Sequence, residues 1–210
     1  MNRPPLGPLH VLTDARGGPQ ALAAVAAAVA AGAPVVQVRA KDCTDRVLYE
    51  FAGQVVDICR PAGATCLVND RVDIALAVGA AGTHLGADDL PVAAARRVAG
   101  PGHLIGGTAR DPELARRLVA EGADYLGVGP AYPTTTKTGL PDALGPARIG
   151  AVAAAVAVPV IAIGGITAER VPELLAAGAA GVAVVGAVSG SADPAAATRQ
   201  LLRALAAHVR

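Results

Sequence analysis

The chain has 210 residues, of which 53% are hydrophobic and 17% charged, and its formal net charge is +1. That is enough apolar mass for one domain of ordinary size, and with aromatics at only 2% the core is built from Ala, Val, Leu and Ile. The near-neutral balance excludes a bulk electrostatic attraction to nucleic acid or to an anionic membrane.

The first residues, "MNRPPLGPLH", contain no apolar stretch of signal-peptide length. The run "ALAAVAAAVAAGAPVV" is broken by Gly32 and Pro34 before it reaches the ~18–20 residues of a membrane span. It reads instead as a buried helix ending at Gly32 and followed by a strand. Cys43, Cys59 and Cys66 show no C-x-x-C spacing and no histidine grouping. Three unpaired cysteines read as reduced thiols and point to a cytoplasmic chain.

Short Val/Ile-rich runs then recur along the chain: "LHVLTD", "PVVQVRA", "TCLVND", "GTHLG", "LIGGTA", "YLGVGP", "VPVIAIGG" and "GVAVVGAV". They are nearly continuous in hydrophobicity, as parallel strands covered on both faces are. Helix-length segments such as "PELARRLVAEGA" and "ERVPELLAAGAA" lie between them. A glycine-alanine punctuation precedes four of the strands, where glycine caps the preceding helix and a small residue allows a tight turn. Eight strand–helix units without a linker predict an α/β fold, a (β/α)8 TIM barrel forming one domain over residues 1–210. A doubly wound open sheet is the alternative. In a barrel of this kind the site lies at the C-terminal ends of the strands, so the polar residues there carry the functional reading.

Strand 2 ends in Gln37, Arg39 and Lys41, which alternation puts on one side. They form either an anion site or a solvated strand end. Strand 3 ends in Asn69 and Asp70. Asp70 either caps the next helix or reaches for a metal, while Asp73, a turn further on, faces solvent. Asp89 after strand 4 offers the same two readings, and His84 reads as a packed strand residue rather than a ligand. Two carboxylates at the tops of adjacent strands suit Mg²⁺, which takes one or two protein carboxylates and leaves its other positions to water and phosphates. Strand 5 offers Thr108 and Arg110. Strand 6 runs into "GPAYPTTTKTG", where three hydroxyls and a cation interrupt an alanine-rich chain. Glycines after strands 7 and 8 allow backbone amides to close on a phosphate. Cations with two carboxylates suit a pyrophosphate, and a separate glycine site suits a monophosphate. Together they indicate two phosphorylated substrates in one pocket.

The pieces "VQVRAKD", "LVNDRVDIALAVGAAGTHLGADDLP", "GADYLGVGPAYPTTTKTG" and "VPVIAIGGI" stand in an order and spacing that resemble the thiamine-phosphate synthase family over essentially the whole chain. The resemblance implies the joining of an aminomethyl-pyrimidine diphosphate to a hydroxyethyl-thiazole phosphate, or its carboxylated form, with release of pyrophosphate. It implies that Gln37, Arg39, Lys41, Asn69, Thr108 and Lys137 contact the pyrimidine diphosphate. Of these, Arg39, Lys41, Thr108 and Lys137 would be catalytic, and Asp70 and Asp89 would hold Mg²⁺. Thr134, Thr135 and Thr136, with Gly165, Val185 and Gly186, would bind the thiazole phosphate. The chain departs from the family pattern at Ala40, Ala87, Thr108 and Gly186, none of which removes a charged member of the site. Its partners would be these small molecules, with neither nucleic acid nor membrane, and a homo-oligomer stays open. Thiazole tautomerase, a silent phosphate-binding barrel and another phosphate-handling barrel such as an isomerase or epimerase are the competing readings.

Overall fold

Each Val/Ile run forms a strand because β-branched side chains pack well on a pleated surface that is buried on both faces. The computed structural model describes residues 6–13, 18–40, 42–134 and 141–207. Its strands are β1 (Leu9–Leu12), β2 (Val35–Val38), β3 (Thr65–Asn69), β4 (Gly82–Leu85), β5 (Leu104–Ala109), β6 (Tyr125–Val128), β7 (Val160–Ile163) and β8 (Gly181–Val184). They pair in parallel in chain order, and β8 pairs with β1, so the sheet closes into a barrel and the open-sheet alternative falls away.

The intervening helices are α1 (Gly18–Ala30), α2 (Asp45–Cys59), α3 (Val72–Ala77), α4 (Val92–Ala99), α5 (Pro112–Ala120), α6 (Gly145–Ala153) and α7 (Val171–Ala176). A short α8 (Gly186–Ser189) and α9 (Pro194–Ala206) follow β8. The predicted glycine punctuation is a repeated helix stop. Gly32, Gly79, Gly122 and Gly178 all have positive φ. In each case the next residue's N–H reaches back five residues, as in Ala33 to Ala28 at 3.0 Å and Ala179 to Leu174 at 3.0 Å. This is the Schellman arrangement, which satisfies the last carbonyls and turns the chain into the next strand. At the other ends, Asp111 and Asp193 accept the Leu114 and Ala196 N–H groups and cap α5 and α9.

Strand alternation divides the apolar residues. Val36, Val38 and Val68 face the helices, whereas Val35, Leu67, Leu104, Tyr125 and Ile161 fill the barrel interior. That plug makes the barrel a packed core rather than a pore and sets the floor for whatever lies at its C-terminal end. No helix among the described residues is long and apolar enough to cross a membrane.

Candidate active site

Above the plug lies a cavity of about 810 Å³ at the C-terminal ends of the strands. Every strand contributes to its wall, and so do Gln37, Arg39, Asn69, Asp70, Asp89, Thr108, Thr134, Gly165, Val185 and Gly186. The remaining expected site residues, Lys41, Thr135, Thr136 and Lys137, lie outside the described residues.

One side of the cavity is polar and interlocked. Gln37 Nε2 donates to Asn69 Oδ1 at 2.6 Å, and Asn69 Nδ2 donates to Asp70 Oδ1. Thr13 fixes the end of β2 by accepting the Arg39 N–H at 3.0 Å. Ala40, the departure beside it, packs with the helix-side cluster, away from the cavity. Asp70 has φ +66°, and its N–H donates to the His84 carbonyl at 2.8 Å, continuing the β3–β4 pairing by one residue. A left-handed backbone is unusual for a residue with a Cβ, though Asp tolerates it, and such strain gathers at functional sites.

The capping readings of the two carboxylates do not hold. The N-cap of α3 is Arg71 and that of α4 is Pro91, and neither makes a side-chain cap bond. Asp89 Oδ2 instead accepts the Gly86 N–H at 2.6 Å and closes its own loop. Two hard oxygen donors on adjacent strand tops, facing one cavity, fit a divalent cation whose other positions go to water and phosphate. Arg71 clamps the loops around them. It donates to Asp73 Oδ2 at 2.6 Å and to Asp45 Oδ2 at 3.1 Å, and its guanidinium lowers both carboxyl pKa values. Asp73 is exposed, as expected, but it is paired.

The floor holds a network that the sequence reading did not find. His84 bridges two hydroxyls, with Nδ1 3.0 Å from Tyr125 Oη and Nε2 3.0 Å from Thr108 Oγ1. Burial pulls the His84 imidazole down to about 4 and raises the Tyr125 hydroxyl well above its usual range, so both are neutral near pH 7. His84 is thus a packed strand residue, as read, but one that orients Thr108. The signal was present in the glycines opposite it. A Cβ on Gly127 would stand 2.8 Å from His84 Cε1. His10 lies edge-on to Tyr125 at 5.4 Å, and burial holds its ring down at about 3.

On the far side the glycine loop after β7 abuts the loop after β6. Gly164 and Gly165 have φ +98° and +64°, and a Cβ on either would stand 2.6 Å from Pro130 Cβ or the Pro133 carbonyl. Ala131 and Tyr132 donate their N–H groups to the Ile163 and Gly164 carbonyls at 2.7 and 3.1 Å, lacing the loops together. Val185 and Gly186 begin α8, and Ser189 Oγ ties that helix to the Leu12 carbonyl at 2.7 Å. Arg110 does not line the cavity. It clamps the root of the β6 loop, donating to the Gly129 and Asp142 carbonyls at 3.3 and 2.8 Å.

Comparison with known proteins matches residues 9–188 to the thiamine monophosphate synthase family. The chain belongs to that family. It is 61% identical over 203 residues to the thiamine-phosphate synthase of Salinispora tropica, covering 95% of this chain and 98% of that one. It is 49% identical to the thiamine-phosphate synthase of Haloquadratum walsbyi, over 90% and 85% of the two chains. Among solved structures, a thiamine phosphate pyrophosphorylase from Pyrococcus furiosus superposes with a TM-score of 0.88 at 35% identity, covering 96% of each chain. Membership therefore extends over the elements that build the cavity, from β1 to the end of β8.

Proposed function

We propose that the chain is a thiamine-phosphate synthase that joins a pyrimidine methyl diphosphate to a thiazole ethyl phosphate, releasing pyrophosphate. The observation that carries this reading is the division of one cavity into two halves. Gln37, Arg39, Asn69, Asp70 and Asp89 enter it from the ends of β2, β3 and β4, and the glycine loops at Gly165 and Gly186 from the ends of β7 and β8, across the closed barrel.

In the reaction the bond from the pyrimidine methylene carbon to the diphosphate oxygen breaks, and its electron pair leaves with pyrophosphate. The thiazole nitrogen lone pair then forms the new carbon–nitrogen bond. Asp70 and Asp89 would hold Mg²⁺, which supplies charge neutralisation to the departing diphosphate when bound. Arg39 faces that same half of the cavity and adds a fixed cation to it. The Gln37–Asn69–Asp70 hydrogen-bond chain holds the amides and the carboxylate in fixed orientation. The neutral His84–Tyr125 pair positions the Thr108 hydroxyl against the pyrimidine without supplying a proton. No protein nucleophile is required, so catalysis rests on positioning and preorganised charge. Lys41, Thr135, Thr136 and Lys137 would complete the two phosphate sites. The free thiols of Cys43, Cys59 and Cys66 suit a cytoplasmic location.

The test is product formation from both substrates with and without Mg²⁺, for the wild type, Asp70→Asn and Asp89→Asn. Turnover is expected to need the cation and to fall on the order of 10²–10³-fold in each variant. Mg²⁺-independent turnover, or full activity in both variants, would overturn the metal assignment.

A further inference from the structure

Arg170 stands at the monophosphate end of the cavity and belongs to no motif singled out in the sequence. It leaves the 3-10 turn Ala168–Arg170 just before α7 and lines the same cavity as Gly164, Gly165 and Gly186. Two contacts fix its guanidinium. Nη1 donates to the Gly165 carbonyl, and the plane of the head group lies over the Tyr132 ring, with Cζ 4.4 Å from the ring centroid. Tyr132 is itself held, its hydroxyl donating to Glu173 Oε2 at 2.8 Å.

That arrangement leaves most of the guanidinium donors facing the cavity unused by the protein. Among the described residues no carboxylate oxygen lies within ion-pair distance of Arg170, although its charge, after a hydrogen bond from Thr167, helps to lower the exposed Glu169 carboxyl. An arginine carries five N–H donors in a rigid fork, and one hydrogen bond leaves most of them for another acceptor. Around it, the glycine loops offer only backbone groups. A phosphate monoester carries about −1.5 to −2 charges near pH 7, and uncharged N–H donors alone leave that charge uncompensated.

We infer that Arg170 is the cation of the monophosphate subsite, a specificity-determining residue that makes the thiazole half-site select the phosphorylated compound over the free alcohol. This rests on the synthase reading for the identity of the ligand, though not for the anion site itself. Tyr132 serves two ends here. Its ring orients the guanidinium, and its backbone is laced to the glycine loop two residues before Thr134.

The experiment measures binding of thiazole ethyl phosphate and of the corresponding thiazole alcohol by titration calorimetry, for the wild type, Arg170→Gln, Arg170→Lys and Tyr132→Leu. Losing a charge-assisted contact to an anion should weaken phosphate binding by about 10–100-fold in Arg170→Gln while leaving the alcohol unchanged. Arg170→Lys keeps the charge but not the fork or the stack and falls between, and Tyr132→Leu weakens the phosphate compound alone. In steady state, Arg170→Gln raises KM for the thiazole phosphate and leaves KM for the pyrimidine diphosphate unchanged. An unaltered ratio of phosphate to alcohol affinity in a folded Arg170→Gln protein overturns the assignment. Selective phosphate binding by a wild-type protein that forms no thiamine phosphate would sink the synthase reading and leave the Arg170 site standing.

Discussion

Replacing Gly106 with alanine probes the cavity floor at its tightest point. A Cβ there would stand 2.5 Å from His84 Nδ1 and inside van der Waals contact of the Tyr125 ring. The Tyr125 ring has little room to retreat, because it is 1% exposed and packs among Leu67, Leu104 and Ile161. Overpacking of this kind costs roughly 1–3 kcal/mol, and parting His84 from Tyr125 leaves buried polar atoms unsatisfied at about 1–3 kcal/mol more. The sum, roughly 2–6 kcal/mol, lowers Tm by on the order of 10 °C for a chain of this size. Because His84 also holds Thr108, kcat/KM falls with it, and the loss remains at temperatures where the variant is folded. Tyr125→Phe separates the two effects, since it removes the hydroxyl and keeps the ring. Thermal melts and steady-state kinetics on both variants read the outcome. A Gly106→Ala protein with wild-type Tm and kcat/KM would show that His84 does not fill the space the glycines leave, and would refute the reasoning.

His10 gives a pH signature. Its folded-state pKa of about 3 lies below the usual 6.5, so between those values the unfolded chain takes up a proton that the folded chain refuses. Its contribution to stability is therefore lost as pH falls through that window, by up to about 1.4 kcal/mol per unit. Urea midpoints from pH 7 to 4.5 should decline less steeply in His10→Asn, and parallel slopes would contradict the burial argument. At the opposite end of the barrel, Arg96 donates to the Gly100, His103 and Gly122 carbonyls and to Asp124 at 2.6 Å. Arg96→Ala takes the guanidinium away from the Asp124 carboxylate, which keeps the Ile105 N–H, and should cost about 3–5 kcal/mol in chemical denaturation. The folded enzyme should keep its kcat, because no part of the cavity is touched.

The barrel was legible because its evidence is local. Strand-length Val/Ile runs, helix-length spacers and a glycine at four of the helix stops lie within a few residues of one another. Gln37 and Arg39 were legible for the same reason, since strand alternation alone puts them on one side. Asp70 and Asp89 could be located but not interpreted, because whether a carboxylate caps a helix depends on which residue the helix begins after. The bridging role of His84 and the place of Arg170 were missed for a different physical reason. The place of His84 is set by missing side chains on β5 and β6, and that of Arg170 by the ring of Tyr132, far away in the chain. Pairings between distant strands leave no periodicity to read.

The central claim is that one cavity joins the two halves of thiamine phosphate. It is tested most directly by ³¹P NMR on the protein mixed with both substrates and Mg²⁺ in a single tube. Thiamine phosphate and pyrophosphate resonances should grow together in equal amounts as both substrates disappear. Persistence of both substrates in the presence of folded protein, or conversion of the thiazole phosphate alone, would contradict it.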